Sequence, residues 1–378
     1  MAKLGDICTV VSGSTPKTGV AEYWDGTVKW ITPAELNEDS FYITDSVRHI
    51  TEYGKEKTGL SYLPKGTVIL SSRAPIGKTA IAGCEMCCNQ GFKNLICSDA
   101  VYNEYLYFFL KSKTDYLNSL GRGATFKEIS KSIVEKIEIP LPNIEKQHQI
   151  VKELKATRNL IAHRKQQLTK LDELIKARFV EMFGDPVKNT MDWEIKSLSE
   201  LGELNRGVSK ARPRNSPELL GGPYPLIQTG EVANAKTYIT SFNSTYSEKG
   251  LAQSKMWPKG TLCITIAANI AQTSILTFDA CFPDSVVGFI SRNMTNELFI
   301  HYWFSFFQKI LDEQAPQVAQ KNINLKILSE LNVIVPPLSL QNQFADFVAE
   351  VDKSKFEVQK ALDQTQLLFD SLMQQYFG

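Results

Sequence analysis

Hydrophobic and polar positions along this chain follow two different periods. Short runs rich in β-branched residues, such as TVILSS at 67–72 and TLCITIA at 261–267, are separated by glycine and proline turns and predict strands. The aromatic runs NEYLYFFLKSK at 103–113 and NELFIHYWFSFF at 296–307 each predict one buried helix among those strands. Both halves of the chain are therefore expected to contain a mixed α/β domain.

A helical period governs residues 144–183 and 338–377, which contain no glycine or proline. Apolar side chains recur there in steps of four and three, the spacing of a coiled-coil seam. At about 1.5 Å per residue, each stretch would form a helix roughly 60 Å long. Gly184 stands where a glycine commonly ends a helix. The seam is interrupted by polar residues at different positions in the two stretches: Thr157, Arg164 and Arg178 against Lys355 and Thr365.

Because those interruptions do not match, the two helices are predicted to pair with each other rather than each with a copy of itself. The expected arrangement is an antiparallel coiled coil. A pair of helices is not expected to close a domain core, so this rod is interpreted as a spacer and a docking surface.

The sequence also contains an internal duplication. PKGT occurs at 64–67 and again at 258–261, an offset of 194, and the same offset relates Gly13 to Gly207. An offset that persists over about 180 residues indicates a duplicated domain. The expected fold class is therefore α+β, with two similar mixed α/β domains that are each followed by a long helix.

The predicted boundaries follow from that repeat. Residues 1–143 and 185–337 are assigned to the two domains, and residues 144–184 and 338–378 to the two spacer helices.

Composition adds little that is specific. The chain has 43% hydrophobic and 22% charged residues and a net charge of +1, as in ordinary globular proteins. Residues 205–214 carry four basic residues and no acid; such clusters are usually solvated surface, but they are also typical of polyanion binding. The longest apolar run is residues 105–110 and no secretion signal is apparent, so a cytoplasmic protein without a membrane partner is expected.

SSRAPIGKTAI at 71–81 lacks only one glycine of a phosphate-binding loop. However, the repeat equivalents of Gly77 and Lys78 are Ala271 and Gln272. The residues that follow predict a hairpin, whereas a phosphate-binding loop opens a helix. The stretch is therefore predicted to be an exposed loop at the end of a strand.

The seven cysteines are unevenly spaced, which favours reduced thiols over a disulfide framework. Cys84, Cys87, Cys88 and Cys97 resemble zinc ligands in spacing, but only Cys281 is kept in the second repeat. These cysteines are predicted to be small core residues, and no metal site is expected.

The motifs of amino-methyltransferases, dinucleotide-binding enzymes, zinc proteases and serine hydrolases are all missing. FPD at 282–284 lacks the acid-x-lysine that would complete a nuclease motif and is interpreted as a turn. No catalytic residue is assigned, and the chain is expected to be the binding part of any enzyme it serves.

The predicted loops carry Arg, Lys, Gln, Asn and Thr, which can contact phosphates and base edges. The candidate DNA-binding residues of the first repeat are Arg73, Lys78, Arg122, Thr125 and Lys127. Those of the second repeat are Arg206, Lys210, Arg212, Arg214, Gln228, Asn269, Gln272, Gln320, Lys321 and Asn322. Framework segments match between the repeats while these loops differ. This pattern is expected if the two domains read different half-sites.

The chain resembles the specificity subunits of Type I restriction–modification enzymes. The resemblance is carried by IEIPLPNIEKQHQIVKEL at 137–154 and LTKLDELIKARFVEMFG at 168–184. LNVIVPPLSLQNQFADFV and LLFDSLMQQYFG repeat these segments in the second half, and LGDICTVVSG and WITPAEL near the start are also similar to that family. The resemblance covers essentially the whole chain.

The resemblance implies two target-recognition domains that face the two halves of an interrupted sequence in double-stranded DNA. It also implies that the helices bind two methyltransferase subunits, which endonuclease–translocase subunits then join. S-adenosylmethionine, ATP and Mg²⁺ would belong to those partners, and no cofactor is expected in this chain. The alternatives are a methyltransferase or nuclease fused to this scaffold, and a coiled-coil scaffold without a nucleic-acid role.

Overall fold

A computed structural model of the chain describes residues 1–73, 75–123, 127–267, 270–306 and 323–378. The chain divides into two units. Unit 1 comprises residues 1–165 and 359–378, and unit 2 comprises residues 166–358. Each unit therefore contains one domain of the repeat together with part of both long helices.

The β-branched runs of the first repeat form the strands of unit 1. These are β1 (Ala2–Lys3), β2 (Cys8–Ser12), β3 (Trp24–Ile31), β4 (Tyr42–Ile43), β5 (Arg48–Ile50), β6 (Val68–Ser71), β7 (Thr79–Ala82), β8 (Cys87–Cys88), β9 (Phe92–Cys97) and β10 (Glu138–Ile139). Its helices are α1 (Leu4–Ile7), α2 (Glu52–Thr58), α3 (Asn103–Ser112), α4 (Thr114–Leu120) and α5 (Lys131–Glu135). The long helix α6 (Ile144–Phe183) leads from unit 1 into unit 2.

Within the described residues, unit 2 repeats most of these elements and has one strand more. Its strands are β11 (Glu194–Ser197), β12 (Gly202–Arg206), β13 (Leu220–Leu226), β14 (Tyr238–Ile239), β15 (Ser244–Tyr246), β16 (Met256–Trp257), β17 (Leu262–Thr265), β18 (Thr273–Leu276), β19 (Ala280–Cys281), β20 (Val286–Ser291) and β21 (Asn332–Val335). Its helices are α7 (Leu198–Leu201), α8 (Thr229–Asn234), α9 (Glu248–Ala252), α10 (Glu297–Phe304) and α11 (Leu325–Ser329). The second long helix, α12 (Leu338–Phe377), follows β21.

Both units contain a larger and a smaller sheet. The larger sheets have the strand orders β2-β9-β6-β7-β4 and β12-β20-β17-β18-β14, and the smaller ones β5-β3-β8 and β15-β13-β19-β16. Even the register is repeated, because Ile69 faces Asn94 in unit 1 and Cys263 faces Gly288 in unit 2, each displaced by 194 positions. The duplicated mixed α/β domain predicted from the offset is confirmed.

The stretch that resembled a phosphate-binding loop joins two strands. β6 and β7 pair antiparallel, with Leu70 opposite Thr79, so the loop after Ser71 closes a hairpin and opens no helix. This geometry matches the predicted strand-end loop.

Within each unit the two long helices run antiparallel. In unit 1, Tyr376 of α12 donates its hydroxyl hydrogen bond to Glu153 of α6, and Arg164 of α6 donates to the carbonyl of Ala361. In unit 2, Lys355 lies 2.7 Å from Asp172. Residue numbers thus rise along α6 as they fall along α12, which confirms the predicted antiparallel pairing.

The prediction that the helices only space and dock is too narrow, because their ends complete the domain cores. In unit 2, Phe179 and Phe183 of α6 pack on Phe299 of α10 with ring centroids 5.4 and 5.0 Å apart. In unit 1, Phe377 of α12 packs 5.2 Å from Tyr105 of α3. Burial of one such ring is worth about 1.5–3 kcal/mol, so each domain relies on both helices for part of its stability.

α6 ends as its sequence predicted. Gly184 adopts φ +75°, a conformation that glycine tolerates best, and its amide donates to the carbonyl of Val180 at 2.8 Å. Among the described residues, no helix combines the length and apolar character needed to cross a lipid bilayer.

Candidate nucleic-acid interface

Loops from both sheets of unit 1 meet at one edge. The amide of Ser14, just after β2, donates to Cys88 at the end of β8 at 3.0 Å. The amide of Asn89 donates to Ile31 at the end of β3, also at 3.0 Å. These bonds fix where the two sheets converge. We call residues 13–16, 32–35, 72–73, 75–78, 89–91, 121–123 and 127–129 loop cluster 1.

The segment 121–129 joins this cluster through its backbone. Arg122 and Glu128 exchange amide–carbonyl hydrogen bonds of 3.0 and 2.9 Å, which pair the two described parts of this segment. The amide of Ile129 then donates to Ser72 at 2.9 Å. Glu128 also forms a 3.1 Å ion pair with the buried Lys93. The described residues of this segment are therefore held beside the loop after β6.

The structure brings together the predicted DNA-binding residues of the first repeat that it describes. Arg73 is half-buried and its backbone forms an antiparallel β-bridge with that of Glu128, while Arg122 and Lys127 are exposed. Lys78 donates from Nζ to the carbonyl of Pro33 at 3.2 Å, so part of its role is to hold two loops of the cluster together. Thr125 lies outside the described residues.

A hydroxyl closes the equivalent hairpin loop in each unit. Ser71 Oγ accepts from the amide of Lys78 at 2.9 Å and donates to the carbonyl of Pro75 at 2.6 Å. Its repeat equivalent, Thr265, accepts from the amide of Gln272 at 3.1 Å through Oγ1. These hydroxyls are used to shape the loop, and the side chains that the two loops present differ.

Unit 2 has a matching edge. The amide of Val208 donates to Phe282 at 3.1 Å, that of Ile227 to Cys281 at 2.9 Å, and that of Ile266 to Ser285 at 3.0 Å. We call residues 207–216, 227–231, 266–267, 270–272 and 282–285 loop cluster 2. Arg206 is the exposed last residue of β12 at the entrance to this cluster.

The basic loop of the second repeat is held by polar side chains around it. Gln253 Oε1 accepts from the amides of Lys210 and Ala211 at 2.7 and 3.0 Å. Asp284 lies 2.5 Å from Arg214 and 3.6 Å from Arg212. The turn predicted at residues 282–284 gave no indication of this ion pair. Asp284 and Arg214 lie 70 positions apart, and no sequence signal links them.

Two cavities separate the remaining candidates of the second repeat. Arg214 and Gln228 line a cavity of about 260 Å³, together with Tyr246 and Ser285. The exposed Gln272 instead lines a cavity of about 480 Å³ beside α6 and α10. That second cavity also contains side chains that sequence reasoning missed: Lys176, Lys236, His301 and Lys355. Asn269, Gln320, Lys321 and Asn322 lie outside the described residues.

Six of the seven cysteines lie in strands, and Cys84 is half-buried between β7 and β8. Cys87 and Cys88 form β8, and burial raises the pKa of Cys87 to about 11 and that of Cys88 to about 12. Such thiols stay protonated at neutral pH and are poor metal ligands. In the described part of the chain, no group of three or more His, Cys, Asp or Glu is arranged to hold a metal ion.

Comparison with known proteins gives a consistent result. Residues 1–173 and 190–365 match the family model of the Type I restriction modification DNA specificity domain. The chain is 29% identical to the Type I restriction enzyme MjaIX specificity subunit of Methanocaldococcus jannaschii, over 98% of this chain and 90% of that protein.

Solved structures share the fold over the whole chain. The S subunit of a Type I restriction–modification system from M. genitalium is 17% identical to this chain, with a TM-score of 0.57. The match covers 95% of that subunit. A chain from a study of complex assembly and conformational transition of the type I R-M system is also 17% identical, is covered to 96% and has a TM-score of 0.65.

Proposed function

The chain belongs to the family of Type I restriction modification DNA specificity domains, and on that premise we propose that it reads a two-part, interrupted DNA sequence, one part with each loop cluster. As a specificity subunit of such a system, it works with DNA and with other subunits. The two-part target and the assignment of each half to one cluster are the proposal.

One observation carries this proposal. The larger sheets behind the two loop clusters have the same strand order and register, yet the side chains that the clusters present are different. A shared frame with different loops suits two readers of different half-sites. A single continuous site would not require the same edge to be built twice.

The chemistry of the clusters supports DNA as the ligand. Arg73, Arg122 and Lys127 in loop cluster 1 can meet phosphates, and a guanidinium can also pair with guanine. In loop cluster 2, Arg214 and Gln228 line one cavity, and Gln suits adenine. We propose that the remaining candidates, including Arg206 and Lys210, contact the backbone of the DNA.

We further propose that the long helices dock two methyltransferase subunits. Apolar side chains stand exposed on them, away from the helix seam: Leu160, Leu174 and Val180 on α6, and Phe356, Leu367 and Leu368 on α12. Leu174 and Leu368 are repeat equivalents, 46% and 52% exposed. A repeated apolar position suits two copies of one partner, because each copy would meet the same kind of surface.

In this proposal the chain itself is not an enzyme. S-adenosylmethionine would be bound by the methyltransferase subunits, and ATP and Mg²⁺ by the endonuclease–translocase subunits. The loop after β6 supports this assignment, since it closes a hairpin instead of opening a helix toward a phosphate.

The decisive experiment is methylation of a randomised DNA library by the chain in complex with its methyltransferase subunits. We expect one methylated motif with two specified parts and an unspecified spacer. One uninterrupted motif would contradict the two-reader proposal. Methylation without any sequence preference would favour a scaffold role, and methylation by the isolated chain would favour the fused-enzyme alternative.

A second experiment tests whether the helices set the spacing. Inserting seven residues after Lys165 preserves the phase of the seam and lengthens α6 by about 10 Å. We expect a longer spacer between two unchanged half-sites. Altered half-sites with an unchanged spacer would show that the helices do not set the spacing.

A further inference from the structure

Asp284 stands on a short, firmly held turn of unit 2. Residues 282–285 connect β19 of the smaller sheet to β20 of the larger sheet. The ring of Phe282 is fully buried and stacks on Trp257 with centroids 4.8 Å apart. The carbonyl of Ser285 accepts from the amide of Ile266 at 3.0 Å. The carboxylate of Asp284 therefore projects from a fixed position in loop cluster 2.

The two arginines beside it lie on a different kind of segment. Residues 207–216 are described throughout and contain no helix or strand. Arg214 reaches Oδ1 of Asp284 at 2.5 Å, and Arg212 reaches Oδ2 at 3.6 Å, so one carboxylate engages two guanidinium groups. The side chains of Arg212 and Arg214 remain 56% and 43% exposed. They are held in place while staying open to a ligand.

The fold does not require this trio. The repeat equivalent of Asp284 is Gln90, and residues 13–22, which correspond to residues 207–216, contain no arginine. The strand order and register of the larger sheet are nevertheless the same in both units. The trio therefore distinguishes the second domain from the first. Such a difference is expected if the two domains read different bases.

We propose that Asp284 is a positioning residue that sets the target choice of the second domain. It orients Arg214 at the cavity that also contains Gln228 and Asn215, and it offsets the charge of both arginines toward unrelated DNA. A guanidinium recognises guanine through a planar pair of donors, so its orientation decides the contact. Free arginines would bind any phosphate. This inference rests on the proposed function.

An exposed ion pair of this kind is weak enough to be given up. Pairs open to solvent add little to stability, so DNA can take over either arginine when its bases fit. The carboxylate thereby selects against DNA that supplies only phosphates. This role predicts a change in discrimination and little change in folding.

The test uses Asp284→Asn, which keeps the shape and one acceptor but removes the charge. The complex with methyltransferase subunits is assayed by methylation of randomised DNA and by binding to cognate and unrelated DNA at several salt concentrations. We expect discrimination to fall about tenfold at one or two base pairs of the half-site read by the second domain. Binding to unrelated DNA should tighten several-fold, and the slope of log Kobs against the logarithm of the salt concentration should become steeper by about one.

Asp279→Asn is the matched control. It lies in the same domain beyond the end of β18, at the sheet edge opposite loop cluster 2, where its carboxylate accepts from the amide of Lys259 at 2.7 Å. We expect it to leave both half-sites unchanged. Asp284→Glu should retain most discrimination because it restores the charge, which separates positioning from a merely structural effect.

The outcomes distinguish this inference from the proposed function. If the wild-type complex reads two half-sites and Asp284→Asn reads them with the same discrimination, the positioning role alone is wrong. Equal relaxation of both half-sites, or the same relaxation by Asp279→Asn, would also contradict it. A wild-type complex without an interrupted motif would overturn the proposed function and the positioning role together.

Discussion

Gln147 and Gln341, which lie 194 positions apart, make the same pattern of hydrogen bonds in the first turns of the two long helices. Gln147 is fully buried and donates from Nε2 to the carbonyls of Ala100 and Pro142 at 3.0 and 2.9 Å. Its Oε1 accepts from the amide of Tyr102 at 2.8 Å. One side chain thus ties the start of α6 to the segment that precedes α3.

Gln341 does the same for α12. Its Nε2 donates to Met294 and Pro336 at 3.0 and 2.8 Å, and its Oε1 accepts from the hydroxyl of Thr295 at 2.9 Å. The proline followed by Gln-x-Gln, which carried the family resemblance, therefore has a physical role. It joins each helix to its domain through a buried amide whose donors and acceptor are all paired.

Replacing either buried glutamine by alanine should destabilise its own unit. Each change leaves buried carbonyls and a donor without partners, at about 1–3 kcal/mol for such a group. We expect Gln147→Ala to lower the stability of unit 1 by about 3 kcal/mol, and Gln341→Ala that of unit 2. Hydrogen exchange in the intact chain would assign the loss to a unit.

The second glutamine of each motif supplies the control. Gln149 and Gln343 are exposed, so their alanine variants should change stability by no more than about 0.5 kcal/mol. A loss in Gln149→Ala equal to that in Gln147→Ala would contradict the anchoring role.

Glu104→Gln should weaken unit 1. The Glu104 side chain is 3% exposed, and Lys155 of α6 donates to its two oxygens at 2.8 and 3.0 Å. Breaking a buried pair costs about 3–5 kcal/mol; because Lys155 is 40% exposed and can return to water, we expect about 1–3 kcal/mol. Urea unfolding measures the change, and the exposed Glu138→Gln should show none.

The same pair predicts an acid dependence. Burial raises the pKa of Glu104, but hydrogen bonds from Lys155, Tyr42 and Tyr102 outweigh it and hold the pKa below its ordinary value of 4.5. The stabilisation is therefore complete above pH 4.5 and is lost as the pH falls through the lower folded value. The difference between wild type and Glu104→Gln should shrink in that acid range; a constant difference would contradict the assignment.

His301 should make unit 2 sensitive at a higher pH. Burial, with the charge of Lys355 nearby, lowers the pKa of His301 from 6.5 to about 4, and its Nδ1 lies 2.9 Å from the hydroxyl of Thr273. Between these two pH values the unfolded chain binds a proton that the folded unit does not. Stability should fall by on the order of 1.4 kcal/mol per pH unit from pH 6.5 downward, and be unaffected above it.

Thermal unfolding between pH 4 and 7 would check this slope. His301→Gln should lack it, whereas the exposed His163→Gln should keep it. An unchanged slope in His301→Gln would assign the acid sensitivity to another group.

The two loop clusters should be separable by mutation. Arg73→Ala is expected to relax only the half-site read by the first domain, and Gln272→Ala only the other. A lost base contact costs about 1–3 kcal/mol at one position, whereas a lost phosphate contact weakens all sequences alike. The Lys127→Ala variant would therefore show whether Lys127 contacts a base or a phosphate. Methylation of randomised sites reports both halves together, and relaxation of both by one change would contradict separate readers.

The exposed leucines of the long helices should govern assembly. Leu174→Ser and Leu368→Ser are each expected to weaken binding of one methyltransferase subunit about tenfold or more, since burying a leucine is worth about 1.5–3 kcal/mol. Because both side chains are exposed in the chain itself, its own stability should change little. Sedimentation of the reconstituted complex would show the lost subunit. Gln364→Ser, on α12 like Leu368, should leave assembly intact.

Much of this fold could be predicted from local patterns. The offset of 194 predicted the duplication, the absence of glycine and proline predicted two unbroken helices, and the mismatched seam residues predicted that they pair. These patterns are readable because a helix or strand repeats its burial every few residues, so one segment displays its own structure.

Local patterns therefore specify the repeated domains, the two helices and the resemblance to the family. Other contacts arise only in the folded chain: Phe377 packs on Tyr105, Lys355 pairs with Asp172, and Asp284 engages Arg214. Each of these contacts joins residues from separate elements, and no local period records which distant side chain will face another. Chain folding brings such groups within a few ångströms, where charge and burial can act on them.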